Sequence, residues 1–156
     1  MLEIGQPAPP FTLPDQDGTP VRLADLAGQP VVVYFYPRDD TSGCTTQACG
    51  IRDQWSQFEA AGAAVLGISP DPVDSHAKFA AKHDLPHRLL ADPDRTVIEP
   101  YGAWGLKKMY GKEYEGVIRS TVLIAPDGTV AAVWPKVQPK KHADQVLAAI
   151  DDLGTA

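Results

Sequence analysis

The 156-residue chain has few cysteines: Cys44 and Cys49 are the only two. Two thiols are too few for the disulfide framework of a small secreted protein or for a four-ligand zinc site. The N-terminus shows no basic segment followed by an apolar one, so no signal peptide is visible. We therefore expect a cytoplasmic protein, in which a close cysteine pair is more often catalytic or redox-active than a permanent cross-link.

Long apolar runs and basic clusters are missing as well. The wholly apolar runs reach about six residues, far short of the roughly 20 that a membrane-spanning helix needs. The net charge is −6, and the longest basic runs are the pairs Lys107-Lys108 and Lys140-Lys141. Such a charge balance argues against a nucleic-acid surface. We expect neither a membrane nor a nucleic-acid partner.

Turn and periodicity signals predict a single α/β domain over residues 1–156. Strands are predicted near residues 11–12, 21–23, 31–36, 63–68, 88–90, 120–125 and 129–134. Helices are predicted near 43–61, 71–83 and 140–151. In the second helix, Val73, Ala77 and Ala80 are expected to face inward. Two strand–helix units, a hairpin and a closing helix indicate a central mixed sheet flanked by helices, preceded by an N-terminal β-hairpin.

Cys44 lies where a predicted buried strand leads into a predicted helix. The strand at 31–36 consists of six β-branched or aromatic residues. One apolar stripe at helical spacing follows it, formed by Cys44, Ala48, Ile51, Trp55 and Phe58. Cys44 is therefore predicted in the first turn of this helix, where unpaired N–H groups and the helix dipole favour a thiolate.

A buried cysteine is more often a small apolar core residue than a reactive thiol. For Cys44, the preceding polar loop with Thr41 and Gly43, at the mouth of an α/β sheet, favours a functional thiol. For Cys49, the structural interpretation stays open.

Arg119 precedes the apolar strand at 120–125, and an arginine in so apolar a context needs an anionic partner. One interpretation is a core salt bridge to an aspartate or glutamate. The other is a guanidinium directed at the Cys44 thiolate and an oxygen-bearing substrate.

Other candidate sites are weaker. The histidines at positions 83 and 87 straddle Pro86, so one helix face cannot carry both, and those at 76 and 142 lie far away. We expect structural roles for all four and no metal site. The aromatic residues between 101 and 114 are interpreted as a packed loop. A Cys–His hydrolase is conceivable, but no base lies near Cys44 in the sequence.

The combination of Pro37, Thr41, Cys44 and a downstream Arg119 resembles the active-site signature of the peroxiredoxins. Residues 35–53, FYPRDDTSGCTTQACGIRD, resemble the peroxiredoxin Q branch, also called bacterioferritin comigratory protein. Further similar segments are 67–71, 90–94, 101–105, 108–112 and 119–121. The chain departs from the family pattern with Ser42 where proline is usual, Gln47 where glutamate is usual and Val122 where phenylalanine is usual.

The resemblance implies a thioredoxin-like fold and reduction of hydrogen peroxide and organic hydroperoxides without metal, haem or other cofactor. It implies that Cys44 is the peroxidatic nucleophile and that Cys49 is the resolving thiol. Thr41 would hydrogen-bond thiolate and peroxide, Pro37 would shield the pocket, and Arg119 would stabilise thiolate and transition state. The implied partners are hydroperoxides and thioredoxin or a similar dithiol reductant, and the expected state is a monomer or weak homodimer.

Two other classes of protein share parts of this pattern. A thiol–disulfide oxidoreductase on the same fold usually carries Cys-x-x-Cys, whereas four residues separate Cys44 from Cys49 here. A non-catalytic binding domain would hold both cysteines as inert core residues. Thr41 and Arg119 favour an oxygen-bearing substrate over either alternative.

Overall fold

A computed structural model describes residues 2–154. The strands are β1 Thr12–Pro14, β2 Pro20–Arg22, β3 Val31–Phe35, β4 Ala64–Ser69, β5 Arg88–Ala91, β6 Trp104–Met109, β7 Lys112–Val117, β8 Ser120–Ile124 and β9 Val130–Trp134. The α-helices are α1 Ser42–Asp53, α2 Trp55–Ala60, α3 Val73–His83 and α4 His142–Gly154, and a 3-10 turn covers Leu23–Leu26.

Five strands form a mixed sheet in the order β5-β4-β3-β8-β9. The central strand β3 is parallel to β4 and antiparallel to β8, and each of its residues is buried. Both faces of β3 are covered, which explains why its sequence is uninterruptedly apolar. The predicted mixed sheet and the N-terminal hairpin, formed by β1 and β2, are confirmed.

Helices α1 to α4 all contribute buried residues to one face of the sheet. Strands β3, β4 and β5 follow one another in the same direction, so two right-handed crossovers place α1, α2 and α3 on the same side. The opposite face is covered by the N-terminal hairpin and by the segment 97–103. None of the helices in residues 2–154 has the length and apolar character that crossing a membrane requires.

The predicted helix at 43–61 is two helices in the structure. Its apolar stripe is correctly predicted, but α1 ends at Asp53, and Gln54 adopts φ −114° and ψ 20°. The Gln54 side-chain nitrogen donates to the Asp144 carboxylate of α4 at 2.8 Å. A hydrogen bond to another helix thus accompanies the break. The spacing of apolar residues in the sequence carries no information about such a contact.

The predicted inward face of α3 was wrong in part. His76 and Phe79 are the buried residues of this helix, whereas Ala77 is exposed. Both ring nitrogens of His76 have hydrogen-bond partners, namely Asp39 Oδ2 at 2.7 Å and the Leu90 carbonyl oxygen at 2.9 Å. Because a satisfied histidine can be buried at little cost, polarity alone misassigns this position.

The segment interpreted as a packed aromatic loop contains a hairpin of β6 and β7. Its turn consists of Tyr110 and Gly111, with φ values of 53° and 77°. Positive φ at both turn residues matches the right-handed twist of the paired strands. The sequence analysis missed it because a tyrosine rarely takes a positive φ.

Candidate active site

Cys44 is the third residue of α1, just beyond the carboxyl end of β3. Thr41 caps the helix with an extended backbone, at φ −89° and ψ 157°. The first N–H groups of a helix lack intrahelical acceptors and carry the positive end of the helix dipole. The Cys44 side chain is 2% exposed and its thiol is free. The helix terminus therefore stabilises a negative charge on this sulfur.

Arg119 contacts Cys44 directly, although the two residues are 75 positions apart. The antiparallel register pairs Phe35 of β3 with Ser120 of β8, which brings the residue before Ser120 to the end of β3. The guanidinium donates from Nη2 to Cys44 Sγ at 3.2 Å. A Cβ atom on Gly43 would lie 3.1 Å from this Nη2 atom, so glycine leaves room for the guanidinium.

Gln47 holds the other side of the guanidinium. Arg119 Nη1 donates to Gln47 Oε1 at 2.7 Å, and Gln47 is fully buried. Among the described residues, Arg119 forms no ion pair with an aspartate or glutamate. The alternative of a core salt bridge therefore does not describe Arg119.

Two further buried residues continue from Gln47. The Gln47 side-chain nitrogen lies 3.2 Å from His142 Nδ1, and His142 Nε2 lies 2.8 Å from Thr121 Oγ1. A chain of contacts therefore joins Thr121 of β8, His142 of α4 and Gln47 of α1. Gln47 in turn contacts Arg119, which contacts Cys44. The sequence analysis assigned His142 a structural role, and only its position in three dimensions reveals the connection.

Tyr34 of β3 belongs to the same buried cluster as Cys44, on the helix-covered face of the sheet. Burial raises its pKa well above 10, and charge on Cys44 raises it further. Its hydroxyl is 2.7 Å from His87 Nε2. A Cβ atom on Gly67 would come within 2.7 Å of the Tyr34 ring, so only glycine fits there. The Tyr34 phenol is therefore neutral and tightly packed between Gly67 and His87.

The other predicted site residues occupy the same end of the sheet. The Thr41 hydroxyl donates to the Arg38 carbonyl oxygen at 2.9 Å, so its hydrogen is committed and its oxygen is left to accept a hydrogen bond. Pro37 is half-buried in the segment between β3 and α1. Cys49 is a free, partly exposed thiol on the same helix as Cys44.

The loop before α1 is held by buried polar contacts. Asp39 is 8% exposed and accepts hydrogen bonds from the Tyr36 hydroxyl at 2.6 Å and the Ser75 hydroxyl at 2.8 Å. Its backbone N–H donates to Asp71 at 2.8 Å. Asp40 has φ 60°, and a hydrogen bond from Lys82 lowers the pKa of its carboxyl group. These contacts anchor the loop to α3 and to the strand ends.

Asp39, Asp71 and His76 place their oxygen and nitrogen atoms within 4.8 Å of one another, which is a spacing that could hold a metal ion. Both His76 nitrogens are already directed at acceptors, at 2.7 and 2.9 Å. Each of the two nitrogens therefore already has a protein partner. The contacts of this cluster are those of a structural network.

The β6–β7 hairpin adds a second cation near the thiol. Burial lowers the pKa of Lys107, the charge of Arg119 lowers it further, and Cys44 raises it. The side chains of Leu106 and Tyr110 on this hairpin are 69% and 97% exposed. Because the hairpin itself was not predicted, no signal in the sequence placed Lys107 within electrostatic reach of Arg119 and Cys44.

The buried histidines predict a loss of stability in mild acid. Burial lowers the pKa of His87 to about 3 and that of His142 to about 4, and the charge of Arg119 also lowers the pKa of His142. The unfolded chain binds these protons near pH 6.5, whereas the folded chain does not. The free energy of unfolding therefore decreases as the pH falls below about 6.5. The decrease is about 1.4 kcal/mol per pH unit for each histidine.

Urea unfolding at pH 7 and pH 5 measures this slope. His87→Phe should flatten the pH dependence, since one of the two titrating groups is gone. An equal stability at both pH values would contradict neutral burial of these side chains.

Comparisons with known proteins identify the family of this chain. The family model described as AhpC/TSA matches residues 4–133. The chain is 50% identical to a putative peroxiredoxin Bcp of Coxiella burnetii, over 96% of this chain and 99% of that protein. It is 43% identical to the peroxiredoxin Bcp of Bacillus subtilis, over 97% of each.

Solved structures agree as well. The bacterioferritin comigratory protein of Xanthomonas campestris superimposes with a TM-score of 0.86 at 39% identity, covering 91% of this chain and 90% of that one. A cysteine-to-serine mutant of Xylella fastidiosa PrxQ gives a TM-score of 0.92 at 32% identity, covering 99% and 98%. The chain belongs to the AhpC/TSA family, and within it to the peroxiredoxin Q, or bacterioferritin comigratory protein, branch.

Proposed function

We propose that Cys44 is the thiol with which this peroxidase reduces hydroperoxides and that Arg119 activates it. The observation that carries the proposal is the 3.2 Å contact between Arg119 Nη2 and Cys44 Sγ at the start of α1. A guanidinium and a helix terminus both stabilise negative charge on sulfur, and the thiolate is the nucleophilic form.

In the first step the Cys44 thiolate attacks the terminal peroxide oxygen. An S–O bond forms as the O–O bond breaks, and the leaving alkoxide or hydroxide takes the bonding electron pair and then a proton. The sulfur loses two electrons and becomes a sulfenic acid. Arg119 supplies donors to the charge that moves from sulfur to oxygen. The Thr41 oxygen, with its own hydrogen donated to Arg38, can accept the peroxide O–H.

In the second step Cys49 resolves the sulfenic acid. Its thiolate attacks the Cys44 sulfur, an S–S bond forms, and hydroxide leaves and is protonated to water. A dithiol such as thioredoxin then exchanges with this disulfide through a mixed disulfide, and it is oxidised as both cysteines are reduced. Pro37, in the segment before α1, would help to shield the pocket from water.

We place the protein in the cytoplasm as part of this proposal, because a reducing compartment regenerates a catalytic thiol pair after each turnover. The proposed state is a monomer or weak homodimer, which sedimentation across a range of concentrations would measure.

Stopped-flow peroxide consumption tests the assignment of the cysteines. With thioredoxin present, the wild-type protein should turn over hydrogen peroxide and an organic hydroperoxide. Cys44→Ser should abolish the reaction. Cys49→Ser should consume about one equivalent and stop, with one oxygen added to Cys44 by mass spectrometry.

Turnover by the Cys44→Ser variant would contradict the proposal. Faster reduction of a protein disulfide than of peroxide would favour a thiol–disulfide oxidoreductase instead. Turnover with a small dithiol but not with thioredoxin would overturn the reductant while leaving the peroxide chemistry in place.

A further inference from the structure

We infer that His142 is a positioning residue, which acts through the Gln47 amide to orient the Arg119 guanidinium at Cys44. The inference rests on the proposed roles of Cys44 and Arg119. It concerns a residue 95 positions from Gln47, on a helix that provides no atom in contact with Cys44 Sγ among the described hydrogen bonds.

The orientation of the Gln47 amide follows from its two neighbours. Arginine has only donors, so the Gln47 atom that lies 2.7 Å from Arg119 Nη1 must be the oxygen. The Gln47 nitrogen then faces His142 Nδ1 at 3.2 Å. An amide nitrogen can only donate, and His142 Nδ1 must therefore accept.

The same logic determines where His142 carries its proton. With Nδ1 as an acceptor, the neutral ring bears hydrogen on Nε2, which donates to Thr121 Oγ1 at 2.8 Å. An imidazolium would direct an N–H at the N–H of Gln47. Rotation of the amide would relieve that clash only by turning its NH₂ group toward Arg119. No amide orientation satisfies both a charged His142 and Arg119.

The surroundings of His142 keep the ring neutral. It is 1% exposed, and the Tyr34 ring of β3 lies 5.5 Å from its ring by centroids. The charged and titratable groups that face it are Arg119, at the start of β8, His87 and the Tyr34 phenol. Burial lowers the pKa of His142 to about 4, with a further contribution from Arg119. No carboxylate of the described residues pairs with His142 in an ion pair.

The consequence concerns the guanidinium. Gly43 leaves room for the Arg119 guanidinium, since a Cβ atom at that position would lie 3.1 Å from Nη2 and 3.6 Å from Cζ. Among the described contacts, the hydrogen bond to Gln47 Oε1 is the one to an oxygen that fixes the rotation of the Arg119 guanidinium. Without His142 Nδ1 as an acceptor, the Gln47 amide can rotate. Arg119 then loses its hydrogen bond to Gln47 Oε1, which orients Nη2 toward Cys44 Sγ.

The first test is the tautomer of His142 in the reduced wild-type protein. Long-range ¹H–¹⁵N NMR distinguishes a protonated ring nitrogen from an unprotonated one. We expect Nδ1 without a proton and Nε2 with one at pH 7. A proton on Nδ1 would overturn the inference without touching the assignment of the peroxidase activity.

The second test compares three variants by their second-order rate constants with hydrogen peroxide. His142→Phe removes the acceptor and should slow the reaction about tenfold, in keeping with the loss of a hydrogen bond within a charged network. His142→Asn, whose Oδ1 can take the place of Nδ1, should restore most of the rate. His87→Phe is the control for loss of a buried histidine on the same face: His87 bonds the Tyr34 hydroxyl and not Gln47, so its rate should fall less than that of His142→Phe.

Equal losses in His142→Phe and His87→Phe would reduce His142 to a structural residue and overturn the inference. A rate for His142→Asn no better than for His142→Phe would do the same. If His142→Phe does not fold, the NMR result and the His142→Asn variant still decide the matter. Failure of the peroxidase proposal itself would show instead as turnover by Cys44→Ser.

Discussion

Replacement of Arg119 by alanine should lower the second-order rate constant for peroxide reduction by about 10²–10³-fold while the protein stays folded. Arg119 donates to Cys44 Sγ at 3.2 Å, so in the proposed mechanism it lies where charge leaves the sulfur. Its loss removes donors that are fixed before the reaction begins. Stopped-flow kinetics and thermal melting of the same preparation measure both quantities.

Arg95→Ala is a matched control for this prediction. Arg95 is also half-buried, and its guanidinium lies 4.2 Å above the Trp104 ring, away from the thiol contacts. Arg95→Ala should lower the melting temperature and leave the rate constant for peroxide reduction near that of the wild type. Arg119→Lys keeps the charge but loses the planar fork, so an intermediate rate is expected. A loss of about 3–5 kcal/mol of stability in Arg119→Ala with a normal rate would assign Arg119 to the core instead.

Oxidation should unwind α1, because the Cys44–Cys49 disulfide does not fit an intact helix. Five residues along a helix rise about 7.5 Å and turn about 140°, which separates the two Cα atoms by about 8.6 Å. A disulfide tolerates a Cα separation of at most about 7 Å. Both cysteines lie within α1 and are free thiols in the structure. The helix must therefore open after the sulfenic acid has formed.

The contacts of α1 indicate how far the unwinding extends. Arg52 donates to the His83 carbonyl oxygen at 2.8 Å, and Gln54 donates to Asp144 at 2.8 Å. These contacts hold the end of α1 and the start of α2. Gly43 and Gly50 each lower the cost of losing the helix by about 1 kcal/mol relative to alanine. We expect unwinding within residues 42–53 and an intact α2.

Circular dichroism and amide hydrogen exchange on reduced and peroxide-treated protein measure this change. The oxidised protein should show less helix and faster exchange across residues 43–52, and mass spectrometry should find the intramolecular disulfide. Cys49→Ser is the control, since its sulfenic acid has no resolving thiol and α1 should stay folded. Equal helicity and exchange in both states, with the disulfide present, would show that the geometric argument is wrong.

The sequence by itself determined the parts of this protein that depend on neighbouring residues. The apolar run at 31–36 predicted β3, and the stripe from Cys44 to Phe58 predicted helix across the span of α1 and α2, although not the break between them. Their junction placed Cys44 in the first helical turn. Pro126-Asp127-Gly128 marked the turn between β8 and β9. Periodicity and turn chemistry act over a few residues, so a sequence displays them directly.

The resemblance to the peroxiredoxins supplied what local patterns lacked, namely the pairing of Cys44 with a residue far along the chain. The sequence pattern alone left two interpretations of Arg119 open, namely a core salt bridge and a contact with the Cys44 thiol. The antiparallel register of β3 and β8 decides between them, since it brings Arg119 to the thiol, 3.2 Å from Cys44 Sγ.

Only the tertiary structure decided how buried polar side chains are satisfied. Sequence reasoning misplaced the inner face of α3 because His76 looks polar until its two partners are in place. It assigned His142 no part in the site, because the contact with Gln47 joins two helices 95 residues apart. A hydrogen bond needs two atoms within about 3 Å, and which atoms meet depends on how the elements pack across the sheet. Local patterns place Cys44 at the start of a helix, whereas packing supplies the side chains that surround it.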